Sequence, residues 1–212
     1  MSQATIALLD NRDSFVYNLV DALAGYDSVV FRNTVSADQV LAANPDALVL
    51  SPGPGYPRDA GCMMEVIERA HGRIPILGIC LGFQALIEHF GGTVSTCGPV
   101  HGISEPMVLT DDGVTHPLFT DLTIDGGPGN TEPGRLVPVA RYHSLGTVTI
   151  PGGMRALART SSEVGDVIMA AESTDGMSIG LQFHPESILT PRGPVLLERC
   201  IDQLLEKDTR NG

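Results

Sequence analysis

Short apolar runs alternate with amphipathic stretches through the first half of the chain. "TIALLD" (5–10) reads as a buried strand. After it, Asp13 or Ser14 can cap a helix that puts Phe15, Val16, Leu19, Val20 and Leu23 on one face and ends near Gly25. "SVVFRN" (28–33) predicts a second strand, and Ser36 opens a short helix over 36–44. "DALVLSPGPG" (46–55) is a strand that breaks into a turn. A helix over 62–71, the strand "PILGIC" (75–80) and a helix over 81–90, closed by Gly91 and Gly92, complete the half. Strands apolar on both faces and separated by helices imply a parallel sheet covered on both sides.

The pattern changes after residue 92. "VSTCGPVHGISEPMVLTDDG" holds strand-like pieces without long helices between them. The segment 123–137 is rich in Gly and Pro and predicts an exposed loop or insert. "VARYHSL" (139–145), "MRALART" (154–160), "DVIMAAE" (166–172) and "SIGLQFHP" (178–185) predict strands in a meander, followed by an amphipathic helix over about 192–206. The expected fold class is α/β: a central, mostly parallel sheet flanked by helices, with a β-rich extension in the second half. It forms a single domain over 1–208 with a disordered tail at 209–212.

Composition narrows the functions open to such a domain. The chain has 212 residues, 42% of them hydrophobic, enough for one globular core. Its net charge of −12 would repel a phosphate backbone, which argues against nucleic acid as a ligand. No apolar run is long enough to cross a bilayer, and "MSQATIALLD" lacks the basic start of a signal peptide, so a cytoplasmic location without membrane attachment is expected. The four cysteines are scattered, without a C-x-x-C pair, and suit neither a disulfide framework nor a zinc site. The Cys97–His101 spacing has no second ligand pair, and no metal site is expected.

Three features fall at strand ends, where ligands sit in open α/β sheets. In "GICLG", a strand, a glycine, Cys80, a residue, a glycine and a helix follow one another as in a nucleophile elbow. Gly78 and Gly82 suit a turn too tight for side chains, and the helix N-terminus favours negative charge on the sulfur. The same residues also fit a buried cysteine beside a close helix–sheet contact. "SPGPGYP" is a stiff turn, poor in side chains, whose N–H groups can face an oxyanion or simply reverse the chain. His184 ends the apolar run "IGLQF" and is followed by Pro185 and Glu186. The pair reads either as a base with its orienting carboxylate or as a structural histidine. Of the other histidines, His71 and His89 lie on predicted helices and His116 precedes a proline, while His101 and His143 have no distinguishing context.

Taken together, "GICLGFQ", "SPGPG" and "QFHPES" resemble the nucleophile, oxyanion and His/Glu motifs of the class I (triad-type) glutamine amidotransferases, over essentially the whole chain. "LLDNRDSFVYNL" and "VARYHSL" resemble the small subunits of anthranilate synthase and of aminodeoxychorismate synthase. The resemblance implies a flavodoxin-like sheet and a catalytic set of Cys80 as nucleophile, His184 as general base and acid, and Glu186 as its orienting group. It implies oxyanion donors at the backbone of Gly53 or Gly55, around Pro54, and at Leu81. It also implies contacts to L-glutamine from Gln84, one turn beyond Cys80, and from Ser144 and Leu145 through backbone. Glutamine would be split into glutamate and ammonia with no cofactor in this chain. The ammonia would pass to a larger chorismate-binding synthase subunit, in a heterodimer or heterotetramer, with magnesium held by that partner. Anthranilate synthesis is the favoured pathway and aminodeoxychorismate synthesis the alternative. A peptidase-like or chaperone-like relative of the fold, and a non-catalytic flavodoxin-like scaffold, are the competing readings. Departures from the family pattern stand out at Phe83, where histidine is common, at Ile103, where lysine often follows the His-Gly, and in the Gly/Pro-rich 124–135 segment, which is longer than usual.

Overall fold

The computed structural model describes residues 3–98, 102–127 and 130–211. His101 lies outside them. The first half forms β1 (Thr5–Asp10), α1 (Val16–Ala22), β2 (Asp27–Arg32), α2 (Ala37–Leu41), β3 (Ala47–Leu50), α3 (Met63–Ala70), β4 (Ile76–Ile79) and α4 (Leu81–His89). The second half forms β5 (Ser95–Thr96), β6 (Ile103–Leu109), α5 (Asp111–Val114), β7 (Leu136–Arg141), β8 (Leu145–Gly146), β9 (Met154–Ser162), β10 (Gly165–Ser173), β11 (Ser178–Leu181) and α6 (Gly193–Asn211).

Local chemistry explains several boundaries. Ser36 accepts from the Gln39 N–H while Gln39 reaches back to the Ser36 N–H, a capping box that starts α2. The Asp13 carboxylate takes the Phe15 N–H at 3.0 Å just ahead of α1, although neither Asp13 nor Ser14 occupies the cap position itself. The amphipathic α6 runs to Asn211, through positions expected to form a tail.

One nine-stranded sheet, in the order β2-β1-β3-β4-β11-β10-β9-β6-β7, carries the fold. Its first five strands are parallel and follow the 2-1-3-4-5 order of flavodoxin-like sheets. The last four are antiparallel, and β5 pairs separately with β8. The β-rich extension is therefore not a separate layer: β11 pairs with β4 in parallel and with β10 in antiparallel, so the meander continues the core sheet.

Alternation along the strands divides the core. Ile6 and Leu8 of β1 pack with Val49, Leu19 of α1, and Leu197 and Ile201 of α6. Ala7 and Leu9 face the other way, with Val40, Val66, Ile67 and Leu86 of α2, α3 and α4. β2 differs from its expected burial on both faces. It pairs only with β1, at the sheet edge, and leaves Val29 39% and Val30 46% exposed.

The predicted strand over 139–145 is also broken. β7 stops at Arg141, and Leu145 enters the small sheet with β5. Likewise β11 stops at Leu181, and Gln182 to Pro185 leave the sheet edge as an irregular segment. Both breaks put polar residues at the carboxyl ends of the parallel strands. The Gly/Pro-rich loop after Thr123 is closed by Asp125, whose carboxylate accepts from the N–H groups of Arg135 and Leu136 at 2.8 Å.

Candidate active site

Cys80 stands between β4 and α4 with φ 50° and ψ −100°, a left-handed backbone that a non-glycine residue adopts at a cost of about 1–3 kcal/mol. Its N–H donates to Leu181 O at 2.7 Å, and its carbonyl accepts from Gln84 N at 3.0 Å, so both neighbouring elements hold the turn. The flanking glycines are required by close approach. A Cβ on Gly78 would lie 2.6 Å from Gly82 O, and one on Gly82 would lie 2.6 Å from Leu50 Cβ. The elbow reading of "GICLG" thus holds in the backbone.

The "SPGPG" turn packs directly against this elbow. A side chain on Gly53 would meet Asn11 O at 2.6 Å and Leu81 Cδ2 at 2.9 Å. Asn11, buried at the end of β1, donates from Nδ2 to Ser51 O at 2.9 Å and from its backbone to Ser51 Oγ at 2.8 Å. Nothing in the N-terminal motif singles Asn11 out. A buried amide at a strand end tying two strand termini together is what holds the turn in place.

Gly53, Pro54, Gly55, Cys80, Gln84, Ser144 and Leu145 line one cleft of about 470 Å³, joined by Tyr56, Thr96, Tyr142 and His143. Leu81 does not line it: its side chain is buried, which leaves its backbone N–H, in the first turn of α4, as its means of contact. Phe83 is fully buried and packs over Gly180, so the departure at this position lies in the core and not in the cleft. Ile103 is 41% exposed at the start of β6.

His184 reaches the sulfur from the segment leaving β11. Its Nδ1 lies 2.6 Å from Glu186 Oε1, with the Glu186 side chain fully buried, and its ring meets Tyr142 and Phe15 edge-on at centroid distances of 5.0 and 5.5 Å. Thr190 Oγ1 donates to the His184 carbonyl at 2.7 Å, and Ala140 O accepts the His184 N–H at 3.1 Å. Burial works against a charged imidazole here, but hydrogen bonding and charge from Cys80 and Glu186 outweigh it and raise the His184 pKa to about 10.

His143, ambiguous in sequence, behaves oppositely. Burial and the neighbouring Arg141 charge lower its pKa to about 4, so it is neutral near pH 7. Its partners agree: Nδ1 donates to Leu145 O at 3.0 Å while Nε2 accepts from Arg141 Nε at 3.4 Å. A second, open cleft of about 580 Å³ surrounds His116, Arg155 and Glu172, away from Cys80. At its centre Glu172 takes hydrogen bonds from His116, Arg155 and Gln203.

An elbow cysteine, a carboxylate-backed histidine and a glycine-rich turn thus come together at the carboxyl ends of the parallel strands. The family model for class I glutamine amidotransferases matches residues 7–204, and the chain belongs to that family. Among curated relatives, it is 63% identical over 203 residues to the anthranilate synthase component 2 of Corynebacterium glutamicum, covering 94% of this chain and 98% of that one. It is 44% identical to the pyocyanine-specific anthranilate synthase component 2 of Pseudomonas aeruginosa, covering 92% of each. In fold it is similar to the crystal structure of a putative GMP synthase subunit from Thermoplasma acidophilum, with a TM-score of 0.79 at 21% identity over 100% of this chain and 98% of that one.

Proposed function

We propose that this chain is the glutamine-hydrolysing subunit of an anthranilate synthase, and that Cys80, His184 and Glu186 form its catalytic triad. The observation that carries the proposal is the line from Glu186 through His184 to Cys80, at the edge of a cleft walled by the "SPGPG" turn. Relatives named anthranilate synthase component 2, similar over nearly the full chain, support the choice of pathway.

Glutamine lies in the cleft with its side-chain amide over the elbow. A cation on His184 and the amino end of α4 both favour negative charge on Sγ. The sulfur attacks the amide carbon, and the carbonyl oxygen gains the negative charge. Backbone N–H groups of Leu81 and of Gly53 or Gly55 take up that charge without reorganising, each worth about 10²–10³ in rate. His184 Nε2 delivers its proton to the departing nitrogen, and the C–N bond breaks to release ammonia. The same nitrogen then removes a proton from water, which attacks the thioester and frees glutamate. Glu186 holds Nδ1 protonated throughout, so Nε2 is the atom that exchanges protons.

Gln84 donates both protons of its amide to protein acceptors, Leu145 O at 3.0 Å and Gln182 Oε1 at 3.2 Å. Its own oxygen is left to accept from the α-ammonium of glutamine. Ser144 and Leu145 frame the same end. The ammonia goes to a larger, chorismate-binding synthase subunit, in a heteromer whose magnesium belongs to that partner. The four free cysteines suit a reducing cytoplasm.

Cys80→Ser tests the reading. It should abolish glutamine-dependent anthranilate formation by the two-subunit complex and leave the ammonia-dependent reaction intact. A diazo-ketone analogue of glutamine should label Cys80 and none of the other three cysteines. A serine variant that hydrolyses glutamine at the parent rate would overturn the triad, and aminodeoxychorismate as the product would overturn the pathway.

A further inference from the structure

Gln182 is the first residue past β11 and is fully buried, in a segment otherwise apolar up to His184. A primary amide in such a place needs partners for two donors and an acceptor. Its Oε1 takes a hydrogen bond from Gln84 Nε2 at 3.2 Å, and its Nε2 lies 3.7 Å from Cys80 Sγ.

The direction of these bonds is fixed from the far end. The Leu145 carbonyl can only accept, so the Gln84 atom 3.0 Å from it is the NH₂ group. That NH₂ also faces Gln182, which must answer with its oxygen. The Gln182 NH₂ is then turned toward the sulfur. The chain from Leu145 O through Gln84 and Gln182 to Sγ therefore has one polarity, anchored in the wall of the cleft.

We infer that Gln182 is a further catalytic residue, whose side-chain N–H donates to Cys80 Sγ and stabilises the thiolate that forms before attack and again as the thioester breaks. The inference rests on Cys80 being the nucleophile. Other charged or titratable groups near the sulfur are His184, with Glu186 and Asp13 behind it, Cys97, and His143 with Arg141. None of them is altered in the variants below. Through Gln84, the donor on the sulfur is oriented by Leu145, so the segment that frames the substrate also sets the polarity at the nucleophile.

The test is the rate at which iodoacetamide modifies Cys80 in the full chain near neutral pH, followed by mass spectrometry of the Cys80 peptide. Gln182→Met keeps the reach and volume of the side chain and removes its donor. It should slow modification about tenfold, the scale of one hydrogen bond to a charged acceptor, and lower kcat for glutamine hydrolysis similarly with KM within about twofold. Gln84→Met leaves Gln182 in place and removes the donor that orients it. Free to flip, the amide should face the sulfur with N–H about half the time, slowing modification about twofold.

Folding of each variant is checked by circular dichroism, and if Gln182→Met does not fold, Gln84→Met decides. A folded variant of either kind modified at the parent rate would overturn the role of Gln182. Alkylation needs no glutamine, so this failure is distinct from failure of the amidotransferase reading, which shows as hydrolysis surviving Cys80→Ser.

Discussion

Replacing Glu186 by glutamine removes a charge and almost no volume. In the native protein its Oε1 sits 2.6 Å from His184 Nδ1, and its Oε2 is buried without a hydrogen-bond partner among the described residues. The carboxylate has little to do there except support a positive imidazole. Burial lowers the His184 pKa, and the combined pull of Cys80 and Glu186 carries it up to about 10. A hydrogen bond to a charged group is worth about 1.5–3 kcal/mol net, or one to two decades in rate if its loss falls on the step in which His184 carries the extra proton. Glu186→Gln should therefore lower kcat by about 10- to 100-fold. KM should stay near the parent value, because Glu186 does not line the cleft beside Cys80. Steady-state glutaminase kinetics measure the first effect, and ¹⁵N chemical shifts of the histidine ring measure its cause. At about pH 8.5, above the ordinary histidine value, the parent His184 should carry protons on both nitrogens and the variant on one. If His184 stays doubly protonated in Glu186→Gln, or kcat is unchanged, the carboxylate is not what sustains the imidazolium and the proton-transfer scheme fails.

The same ionisation links stability to pH. His184 binds its proton more tightly folded than unfolded, where it titrates near 6.5, so its contribution is complete below about 6.5 and is lost as pH rises toward 10. Urea midpoints should fall across that window, and Glu186→Gln should flatten the fall; a slope identical in parent and variant would assign the pH dependence elsewhere. Gly82→Ala should force the elbow away from Leu50, costing about 1–3 kcal/mol and roughly 2–12 °C in Tm, with loss of glutamine hydrolysis. An alanine variant with parental Tm and activity would show that the close approach has no consequence.

Gly78, Cys80 and Gly82 were legible in the sequence because their signal is local: a strand turning sharply into a helix needs small residues at fixed spacing, whatever surrounds it. The four strands of the first half were legible for the same reason, since each carries its own apolar run, whereas β11 read as a meander strand and only its pairing with β4 makes it parallel. Other features depended on partners distant in the chain. β2 has a strand's pattern, but nothing within it says that it will lie at an edge, which depends on what pairs with its far side. "VARYHSL" and "SIGLQFHP" read as unbroken strands because alternation does not mark where a neighbour ends; their breaks at Arg141 and Leu181 follow from where the adjoining strands stop.

By itself, the sequence determined the elements, the elbow and the family likeness, because backbone sterics and apolar periodicity act over a few residues. Only the tertiary structure decided which histidine carries charge. The sequence marks His184 by the Pro185 and Glu186 that follow it and leaves His143 unmarked, but neither pattern gives a charge: His143 is buried beside Arg141 and kept neutral, while His184 is buried against Glu186 and Cys80 and kept protonated. It also decided that Gln182 points its N–H at the sulfur, because that direction is dictated by a carbonyl 37 residues away at Leu145, through a third side chain. Charge and hydrogen-bond polarity are set by neighbours in space, and folding alone supplies them.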